Sequence, residues 1–413
     1  MTVDRSYRAL LGTPWVGRIL GSMALGRTAA SMAAIVLVLF ALERFDSPAV
    51  AGLVVFASTA PAVVMGPVAG ALLDRHGRVR LVILDQLVGA VALAVIGLLA
   101  IADHLPAWLL VIISATAALT RPMSLTGLRT MVPALVPPAL WERVNALDSN
   151  AFVLATLVGP AAAGLTVVLL GGPGALFVVA LLVGVAALPL MGVPDHAAPV
   201  STGNRLLRDA WEGLRYTWRN PSLRGIALSM VVYYSAFGVL TITVPVLLLG
   251  RYGQGPAEVG FAWAAMAIAG GLAAILFGTR QSAGRERRWL AVGMAASGLG
   301  TMVLVLPAGV GVVVVALVVV GFMQGPIDIA MFTLRQRSTD AAWAGRAFAV
   351  SVALNSAGSP IAAALTGVLL EHSVDMAILL AVGAFLVAGA VALRLVPSAV
   401  DERPDSERVR RGA

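Results

Sequence analysis

Long apolar segments recur along almost the whole chain and constrain its fold more than any other feature. One of them, 81–101, contains a single ionisable residue, Asp85, in a run dominated by Leu, Val, Ala and Ile. A helix needs about 20 apolar residues to cross a bilayer, whereas barrel strands alternate in polarity over about 10 residues. Charged residues make up only 12% of the 413 residues, far below the roughly 25% of soluble proteins. We therefore predict an all-α integral membrane protein.

Turn residues and charges divide these segments into twelve predicted membrane-spanning helices. The predicted spans cover approximately 16–42, 48–73, 81–101, 107–131, 143–170, 175–193, 222–249, 257–279, 289–307, 310–334, 346–369 and 375–396. Because the longest polar stretch follows span six, we predict two bundles of six helices, 1–193 and 222–396. A linker, 194–221, joins the two bundles, and a tail, 397–413, follows the second.

Arginine is unevenly distributed between the loops on the two sides of the predicted membrane. The loops on one side contain only Arg44 and Arg251. The loops and tails on the other side hold most of the remaining arginines, including Arg75, Arg78, Arg80, Arg205, Arg208, Arg215, Arg219, Arg285, Arg287 and Arg288. Because cytoplasmic loops are enriched in basic residues, we predict cytoplasmic termini and a location in the bacterial inner membrane. The same pattern accounts for the net charge of +8 without nucleic-acid binding.

The linker contains a predicted amphipathic helix. Trp211, Leu214 and Trp218 fall on one face at helical spacing, while Arg215 and Arg219 fall elsewhere. Such a helix suits the surface of an anionic inner leaflet. A solvated linker helix is the alternative, and the sequence does not decide between the two.

Spans five and eleven carry an internal repeat. Pro160 and Pro360 occupy equivalent positions, with Gly159 and Gly358 close beside them. Paired helix interruptions in the two halves of a transporter are typical of its moving helices. We therefore predict that these prolines and glycines take part in a conformational change.

The loop after span two carries a recognisable motif. Gly70 is followed by Asp74-Arg75 and then by Gly77-Arg78, an arrangement that closely resembles the signature loop of the major facilitator superfamily. Glycine permits close helix packing and a turn with positive φ, and Asp74 can pair with an arginine or cap a helix. The resemblance implies that this loop gates a conformational change. A basic turn that serves membrane topology alone is the alternative.

The corresponding loop of the second half keeps the glycines and arginines but has Gln281 in place of the acid. This difference suggests that the gating contact is strong in one half only. Asp85, near the start of span three, is predicted to brace the first loop.

Further motifs narrow the resemblance to the branch of the superfamily that holds the bacterial enterobactin exporter and related drug and macrolide efflux proteins. These motifs are Arg121-Pro122, Pro133 to Pro137, Asn145-Ala146-Leu147, Gly159-Pro160, Glu212 to Tyr216, Asn220-Pro221 and Gly345-Arg346. The resemblance implies a major facilitator fold with twelve transmembrane helices in two six-helix bundles. Gly159-Pro160 also resembles the antiporter signature of exporters, although the fuller glycine pattern is reduced here to Gly164. Export of a drug, siderophore or other secondary metabolite by proton antiport and alternating access is the implied function.

Ionisable residues within the predicted spans are few, and each is expected to face a partner or a cavity because charge is costly in the bilayer. Arg27 lies near the middle of span one, where a cavity arginine favours an anionic substrate group. An ion pair with Asp148 is the alternative. Arg121 and Arg129 lie eight residues apart on span four and point the same way. These three arginines are predicted to line the substrate cavity.

Two acidic residues are candidates for proton coupling. Asp148 is the first, because Arg129 at a similar depth can hold it ionised and then release it for protonation as the helices move. A fixed ion pair that braces spans four and five is the alternative. Asp328 is the second candidate, and its alternative role is a pair with Arg335, seven residues further along the same helix face.

Uncharged polar residues within the spans are predicted to contact substrate, or alternatively to bond neighbouring helices. They are Asn145, Asn150, Tyr233, Tyr234, Gln324 and Asn355. The low aromatic content, 6%, and the arginines favour an amphipathic anionic or zwitterionic substrate over a lipophilic cation.

The sequence lacks the motifs of several other function classes. It contains no Cys and no Lys, and its four His residues are scattered over different loops. We therefore predict no disulfide, metal site or cofactor, and no nucleotide-binding loop of an ATP-driven pump. Without a catalytic set of residues, a monomeric transporter of protons and a small molecule is favoured over an enzyme. Proton-coupled uptake and a non-transporting membrane receptor or scaffold are the alternatives.

Overall fold

The computed structural model describes residues 6–137, 140–195, 206–280, 282, 284–340 and 343–397, which form fourteen α-helices. The helices are α1 (Tyr7–Gly12), α2 (Val16–Phe45), α3 (Pro48–His76), α4 (Arg78–Ile101), α5 (Ala107–Ala118), α6 (Arg121–Leu135), α7 (Trp141–Ala187), α8 (Leu206–Arg219), α9 (Pro221–Val246), α10 (Pro256–Gly278), α11 (Glu286–Met302), α12 (Val310–Arg337), α13 (Ala344–Leu370) and α14 (Val374–Leu395). Short 3₁₀ or π turns extend three of them, at Leu188–Leu190, Leu247–Arg251 and Val303–Val305.

Eleven helical segments among the described residues are long and apolar enough to cross a membrane. One of them, Arg143–Leu190, has 48 residues, about twice the length that a single crossing requires. Inside it, Gly171 adopts φ 71° and ψ 173°, two residues before Pro173. This kink separates two crossings without a loop between them. The predicted fold class, a multi-pass protein with twelve transmembrane helices, is therefore confirmed.

The predicted fourth span, 107–131, consists of two helices in the structure. α5 ends at Ala118 and α6 begins at Arg121, with Pro122 in its first turn. Proline lacks a backbone N–H and clashes with the preceding turn, so a helix tolerates it best at its start. The break therefore places Arg121 at a helix N-terminus in the interior of the span.

The described helices pack into two compact units. Unit 1 comprises Met1–Leu206, Val244–Ala264 and Ala363–His372, and unit 2 comprises Leu207–Thr243, Ala265–Ala362 and Ser373–Ala413. In unit 1, α7 packs along α2 and α4, and α3 packs on α5. In unit 2, α11 packs on α12 and α14. The predicted bundles, 1–193 and 222–396, were defined by the order of the helices in the chain. This division stays a prediction.

The repeated glycine-proline motif makes equivalent contacts within each unit. In unit 1, a Cβ atom placed on Gly159 of α7 would lie 2.5 Å from the Cβ of Ser31 in α2. In unit 2, a Cβ atom placed on Gly358 of α13 would overlap the backbone carbonyl of Val231 in α9. The motif's prolines lie inside α7 and α13. Each glycine thus allows a proline-containing helix to approach the first long helix of its own half closely.

Two further pairs of helices meet backbone to backbone within unit 1. A Cβ atom on Gly52 of α3 would lie 2.5 Å from the backbone oxygen of Ala363 in α13. A Cβ atom on Gly164 of α7 would overlap the carbonyl of Pro256 at the start of α10. Because a larger side chain does not fit at either place unless the backbone moves, these glycines permit close helix contacts within unit 1.

Candidate functional site

A cavity of about 270 Å³ lies within unit 1, lined by residues from α2 to α7. Most of the lining residues are Ala, Leu, Gly, Met, Ile and Val. The polar lining residues are Ser22, Arg27, Ser58, Asp85, Gln86, Ser114, Arg121 and Ser124. Ligand sites are typically apolar cavities that contain a few oriented polar groups. This cavity is therefore the candidate substrate site, and it includes two of the three arginines predicted from the sequence.

An ion pair joins Arg27 of α2 to Asp148 of α7 at the wall of this cavity. Arg27 Nη2 lies 2.7 Å from Asp148 Oδ1, and Arg27 Nη1 donates a hydrogen bond of 2.8 Å to the backbone oxygen of Asp148. The two side chains are only 19% and 13% exposed. The guanidinium also lies 5.9 Å from the ring centroid of Phe152. Arg27 is therefore held by two acceptors of one residue in a largely buried setting.

This pair is one of the two arrangements that the sequence left open. The other partner predicted for Asp148 was Arg129, whose side chain lies outside the part of the structure that is described. The Arg27–Asp148 pair links α2 to α7, the same two helices that meet closely at Gly159. A charge contact and a glycine contact therefore lie on one helix interface.

A second carboxylate, Asp85 of α4, faces the break between α5 and α6. Its Oδ1 accepts a hydrogen bond of 2.7 Å from Thr120 Oγ1, and it lies within electrostatic range of Arg121. Arg121 Nη1 also donates a weak hydrogen bond of 3.5 Å to the backbone oxygen of Ser58. Asp85 is thus in the cavity wall, about 10 Å along α4 from the signature loop. Its predicted role in gating stays a prediction.

A hydrogen-bond chain that the sequence did not indicate crosses the cavity wall. Gln86 Nε2 donates to Ser22 Oγ at 3.2 Å, and Ser22 Oγ donates to the backbone oxygen of Ala186 at 2.7 Å. Gln86 and Ser22 are buried, and they connect α4, α2 and α7. The sequence signal that could have indicated this chain is the presence of these two polar residues in otherwise apolar spans, because buried polar side chains in membranes usually bond neighbouring helices.

The signature loop is a sharp junction between α3 and α4. Gly77 adopts φ 91° and ψ 142°, a backbone conformation that suits glycine. The carboxylate of Asp195, which follows span six, accepts hydrogen bonds from the backbone N–H groups of Arg78 at 2.8 Å and of Val79 and Arg80 at 3.3 Å. Asp195 therefore caps the positive N-terminus of α4.

The sequence contains little indication that Asp195 caps α4. Asp195 is a helix-capping residue type in a loop, but it lies 117 residues from the backbone group that it binds most closely. The side chain of Asp74, the acid of the motif itself, lies outside the described part. Gly70 and Arg75 occupy the last two turns of α3. The predicted gating role of this loop stays a prediction.

We expect Asp195→Ala to loosen the first turn of α4. Loss of a capping acceptor typically costs about 1 kcal/mol, and 1.4 kcal/mol corresponds to a tenfold change in an equilibrium. Hydrogen exchange at Arg78 to Arg80 should therefore accelerate by roughly fivefold, as measured by mass spectrometry of the purified protein. Asp195→Asn retains a side-chain acceptor and should change the rates less. Unchanged exchange in the alanine variant would show that the cap contributes nothing to stability.

The corresponding junction of the second half has the same backbone feature and a different charge contact. Gly284 adopts φ 75°, matching Gly77 in sign. Glu286, which is only 5% exposed, pairs with Arg337 of α12 at 2.7 Å. Gln281, the departure from the motif, lies outside the described residues. The second half therefore has its own ion pair near the junction, where the sequence suggested a weaker contact.

The predicted polar residues of unit 2 gather around α9 and α12. Tyr233 is fully buried, with its ring centroid 5.3 Å from those of Phe237 and Phe385. Asp328 of α12 lies within electrostatic range of Tyr233 and Tyr234. Asp328 therefore has phenolic neighbours in a largely apolar setting.

The pair of Asp328 with Arg335 that the spacing suggested is not formed between these two described side chains. The Arg335 guanidinium instead lies 5.8 Å from the ring centroid of Phe332. Asn355 of α13 is buried, with its Nδ2 3.6 Å from Met331 Sδ. Asp328 is therefore not neutralised in the way that Asp148 is.

The remaining candidates lie apart from the cavity of unit 1. Asn145 and Asn150 are exposed on α7, and Gln324 is half-buried on α12. The structure thus brings together Arg27, Arg121, Asp85 and Asp148 in unit 1. In unit 2 it brings Asp328 near the two tyrosines.

Comparison with known protein families agrees with the family resemblance of the sequence motifs. The model of the Major Facilitator Superfamily matches residues 19–351 and 226–412 of this chain. Together these two matches cover nearly the whole sequence.

Several curated proteins are similar over most of their length. The chain is 36% identical over 394 residues to the uncharacterized MFS-type transporter y4rN of Sinorhizobium fredii, covering 95% of this chain and 97% of the relative. It is 28% identical over 373 residues to the multidrug efflux pump Tap of Mycobacterium tuberculosis, covering 86% of this chain and 87% of the pump. Macrolide efflux protein A of Streptococcus pyogenes is 23% identical over 251 residues, covering 59% of this chain and 62% of the relative.

Solved structures show the same fold at low sequence identity. The nucleoside transporter NupG superposes with a TM-score of 0.74 at 13% identity, covering 92% of this chain and 99% of that chain. A bacterial homologue of the iron transporter ferroportin, in an inward-facing state, superposes with a TM-score of 0.69 at 16% identity, covering 92% and 98%. The family match and the transporter relatives indicate a transporter rather than an enzyme. This multi-pass membrane protein therefore belongs to the major facilitator superfamily.

Proposed function

We propose that this protein exports a small organic molecule from the bacterial cytoplasm in exchange for protons. Two relatives are named as an efflux pump and an efflux protein, and the first matches this chain over most of its length. The excess of arginine in alternate loops supports cytoplasmic termini and an inner-membrane location. The proposed carrier is a monomer without a cofactor.

The observation that carries the proposal is the Arg27–Asp148 pair beside an apolar cavity in the membrane. A buried carboxylate is stable when it is neutralised by a cation or by a proton. Separation of α2 from α7 would deprive Asp148 of its guanidinium partner and leave it to take a proton. Protonation of Asp148 is thereby linked to the arrangement of these two helices.

The charge of the substrate decides whether this coupling gives antiport or symport. A cationic group of the substrate competes with the proton for the ionised Asp148, so each drives the other off, as antiport requires. An anionic group that binds Arg27 would instead favour protonation of Asp148, because the substrate anion then pairs with Arg27 and a proton neutralises Asp148. That second arrangement gives symport.

Antiport through Asp148 therefore favours a substrate that carries a cationic group. Of the two classes favoured by the sequence, anionic and zwitterionic, the zwitterionic compound meets this condition. The mostly apolar lining suits an amphipathic molecule, and each cavity arginine, Arg27 and Arg121, already lies near a carboxylate. An amphipathic zwitterion is the proposed substrate.

Alternating access is the proposed transport cycle. The two bundles, 1–193 and 222–396, would rock about a common cavity, with α7 and α13 as the moving helices. The junction at Gly77 and the glycine-proline motif would set the limits of this motion. Asp328 is the second candidate for proton coupling, and the polar side chains of α9 and α12 would contact substrate from the second bundle.

Accumulation measurements in an efflux-deficient bacterial strain test the proposal. Cells that express the protein should accumulate less of an amphipathic zwitterion than control cells, and a protonophore should abolish the difference. A panel of matched anionic, cationic and zwitterionic compounds identifies the substrate charge. Lower accumulation of purely anionic compounds alone would contradict the zwitterion and the antiport mechanism through Asp148.

Everted membrane vesicles separate export from the two alternatives. Vesicles with an acidified interior should load the substrate by antiport. A symporter would instead expel substrate from such vesicles when the interior is acidified. Binding without any transport in proteoliposomes would favour the receptor or scaffold.

A further inference from the structure

The exposed face of α8 has an unusual composition for a helix that contacts water. Trp211 and Trp218 are 66% and 50% exposed, and their separation of seven residues places them on the same face. Arg215 and Arg219 are also exposed and border this tryptophan pair on one side, about 40° and 80° around the helix from Trp211. We call these four residues the Trp-Arg face of α8.

The opposite side of α8 is anchored within unit 2. The ring of Tyr216 stacks on Trp343 with centroids 4.9 Å apart and planes 6° from parallel. The Tyr216 hydroxyl donates to Asp340 Oδ2 at 3.2 Å and accepts from the Asp340 backbone N–H at 3.1 Å. Thr217 is fully buried. These contacts set the rotation of α8 about its axis, so the Trp-Arg face points outward from unit 2.

The C-terminal end of α8 joins a membrane span directly. Asn220 is the only residue between α8 and α9, and its side chain donates to the backbone oxygen of Ser338 at 2.7 Å. Asn220 Oδ1 also accepts from the Leu223 backbone N–H in the first turn of α9 at 3.2 Å. A helix held this close to the end of a span is within reach of the bilayer surface.

The residue types of the face match one environment. Indole rings concentrate at membrane interfaces, where the ring contacts acyl chains and the N–H group contacts headgroups. Arginines beside them attract anionic lipids electrostatically, and a guanidinium binds phosphate oxygens well. A solvated linker helix would leave two large rings in water, which the hydrophobic effect disfavours.

We propose that the Trp-Arg face of α8 binds the anionic phospholipid headgroups of the membrane in which the protein lies. Trp211 and Trp218 enter the interfacial region, and Arg215 and Arg219 contact lipid phosphates. This interaction is independent of the transported substrate. Because Trp343 directly precedes α13, the lipid contact is connected through the Tyr216–Trp343 stack to the helix that carries Gly358.

Tryptophan quenching in lipid vesicles tests the proposal. The full-length protein is reconstituted into phosphatidylcholine vesicles that contain a minor fraction of either brominated phosphatidylglycerol or brominated phosphatidylcholine. The contribution of α8 is the difference between the natural protein and Trp211→Phe/Trp218→Phe, which keeps aromatic side chains at both positions. We expect the anionic brominated lipid to quench this difference signal severalfold more strongly than the zwitterionic one.

Charge variants identify the cause of the selectivity. Two arginines contribute about 30-fold in affinity for an anionic surface at roughly tenfold per 1.4 kcal/mol, so Arg215→Gln/Arg219→Gln should reduce the ratio of quenching by the two lipids to about one. The matched control, Arg280→Gln/Arg288→Gln, removes the same net charge from exposed positions of unit 2 and should leave the ratio unchanged. The single variants Trp211→Phe and Trp218→Phe repeat the measurement if the double variant does not fold.

Two outcomes would overturn the proposal. Strong quenching of the difference signal by iodide, with none by brominated lipid, would show that the face lies in water. Equal quenching by the two brominated lipids would place the face at the interface without a preference for anionic lipid. Neither quenching measurement requires transport, so the test remains valid even if the proposed export function is wrong.

Discussion

Replacement of Asp148 by Asn is expected to abolish proton-driven transport by this protein. The variant cannot ionise, so it loses both the partner of Arg27 and the proposed exchange between a proton and a substrate cation. Loss of one partner of a buried ion pair costs roughly 3 kcal/mol, which corresponds to more than a hundredfold in an equilibrium. The initial rate of transport driven by a pH gradient in proteoliposomes should therefore fall by at least about tenfold.

A double variant separates coupling from simple bracing. Arg27→Gln/Asp148→Asn removes both charges, so no charge is left alone and thermal stability should recover relative to Asp148→Asn. If Asp148 couples transport to protons, the double variant should still fail to respond to a pH gradient. Recovery of gradient-driven transport together with stability would show that the pair only braces α2 against α7.

The exposed pair of Arg44 and Asp103 provides the matched control. Asp103 is 84% exposed, and surface ion pairs contribute about 0–1 kcal/mol. Asp103→Asn should therefore leave both stability and transport close to those of the natural protein. A loss of transport in this variant equal to that of Asp148→Asn would indicate a general effect of acid removal.

The second large effect is expected at Gly52. Valine at this position would place its Cβ 2.5 Å from the backbone oxygen of Ala363, and a backbone carbonyl cannot move away as a side chain tip can. The contact between α3 and α13 within unit 1 should therefore open. If this contact forms and breaks in the proposed alternating-access cycle, Gly52→Val should reduce transport by at least about tenfold.

Gly66 of the same helix is the control for this substitution. A Cβ atom on Gly66 meets no atom within 4 Å, so Gly66→Val adds the same side chain to α3 without the clash. Transport by the Gly66 variant should remain near that of the natural protein. Equal losses in both variants would point to a general effect of valine in α3.

The absence of cysteine from the sequence allows a direct measurement of the contact. Ser47 Oγ and Glu371 Oε1 lie 2.9 Å apart, beside the Gly52 contact. Ser47→Cys/Glu371→Cys should cross-link with a short bifunctional thiol reagent. Adding Gly52→Val should lower the cross-linked fraction, whereas adding Gly66→Val should not. An unchanged fraction with Gly52→Val would mean that the backbone accommodates the side chain.

The positions of the membrane helices could be predicted from the sequence because each depends on local composition. A run of about 20 apolar residues forms a helix in a bilayer wherever it packs, since every backbone group must be satisfied within the segment. Two local details differed. The Gly171–Pro173 region forms a kink without a loop, and Arg121-Pro122 starts a new helix inside a span.

The sequence narrowed the possible partners of the charged residues but did not determine which of them pair. Periodicity and depth made Arg27, Asp148 and Arg121 candidates for one cavity, but they left Asp148 with two possible partners. The choice of Arg27 depends on how α7 lies against α2, which depends in turn on Gly159 and the side chains around it. No local rule relates residues that are 121 positions apart.

The sequence by itself determined the membrane environment, the number of crossings, the family motif and the residue types available for coupling. These follow from composition and spacing, which act over one or two helical turns. Tertiary structure decided that Asp195 caps α4, that Gln86 bonds Ser22 and that Glu286 pairs with Arg337. Each of these contacts joins helices that are distant in the chain or separated by a loop, and its geometry is set by how helix surfaces pack against one another.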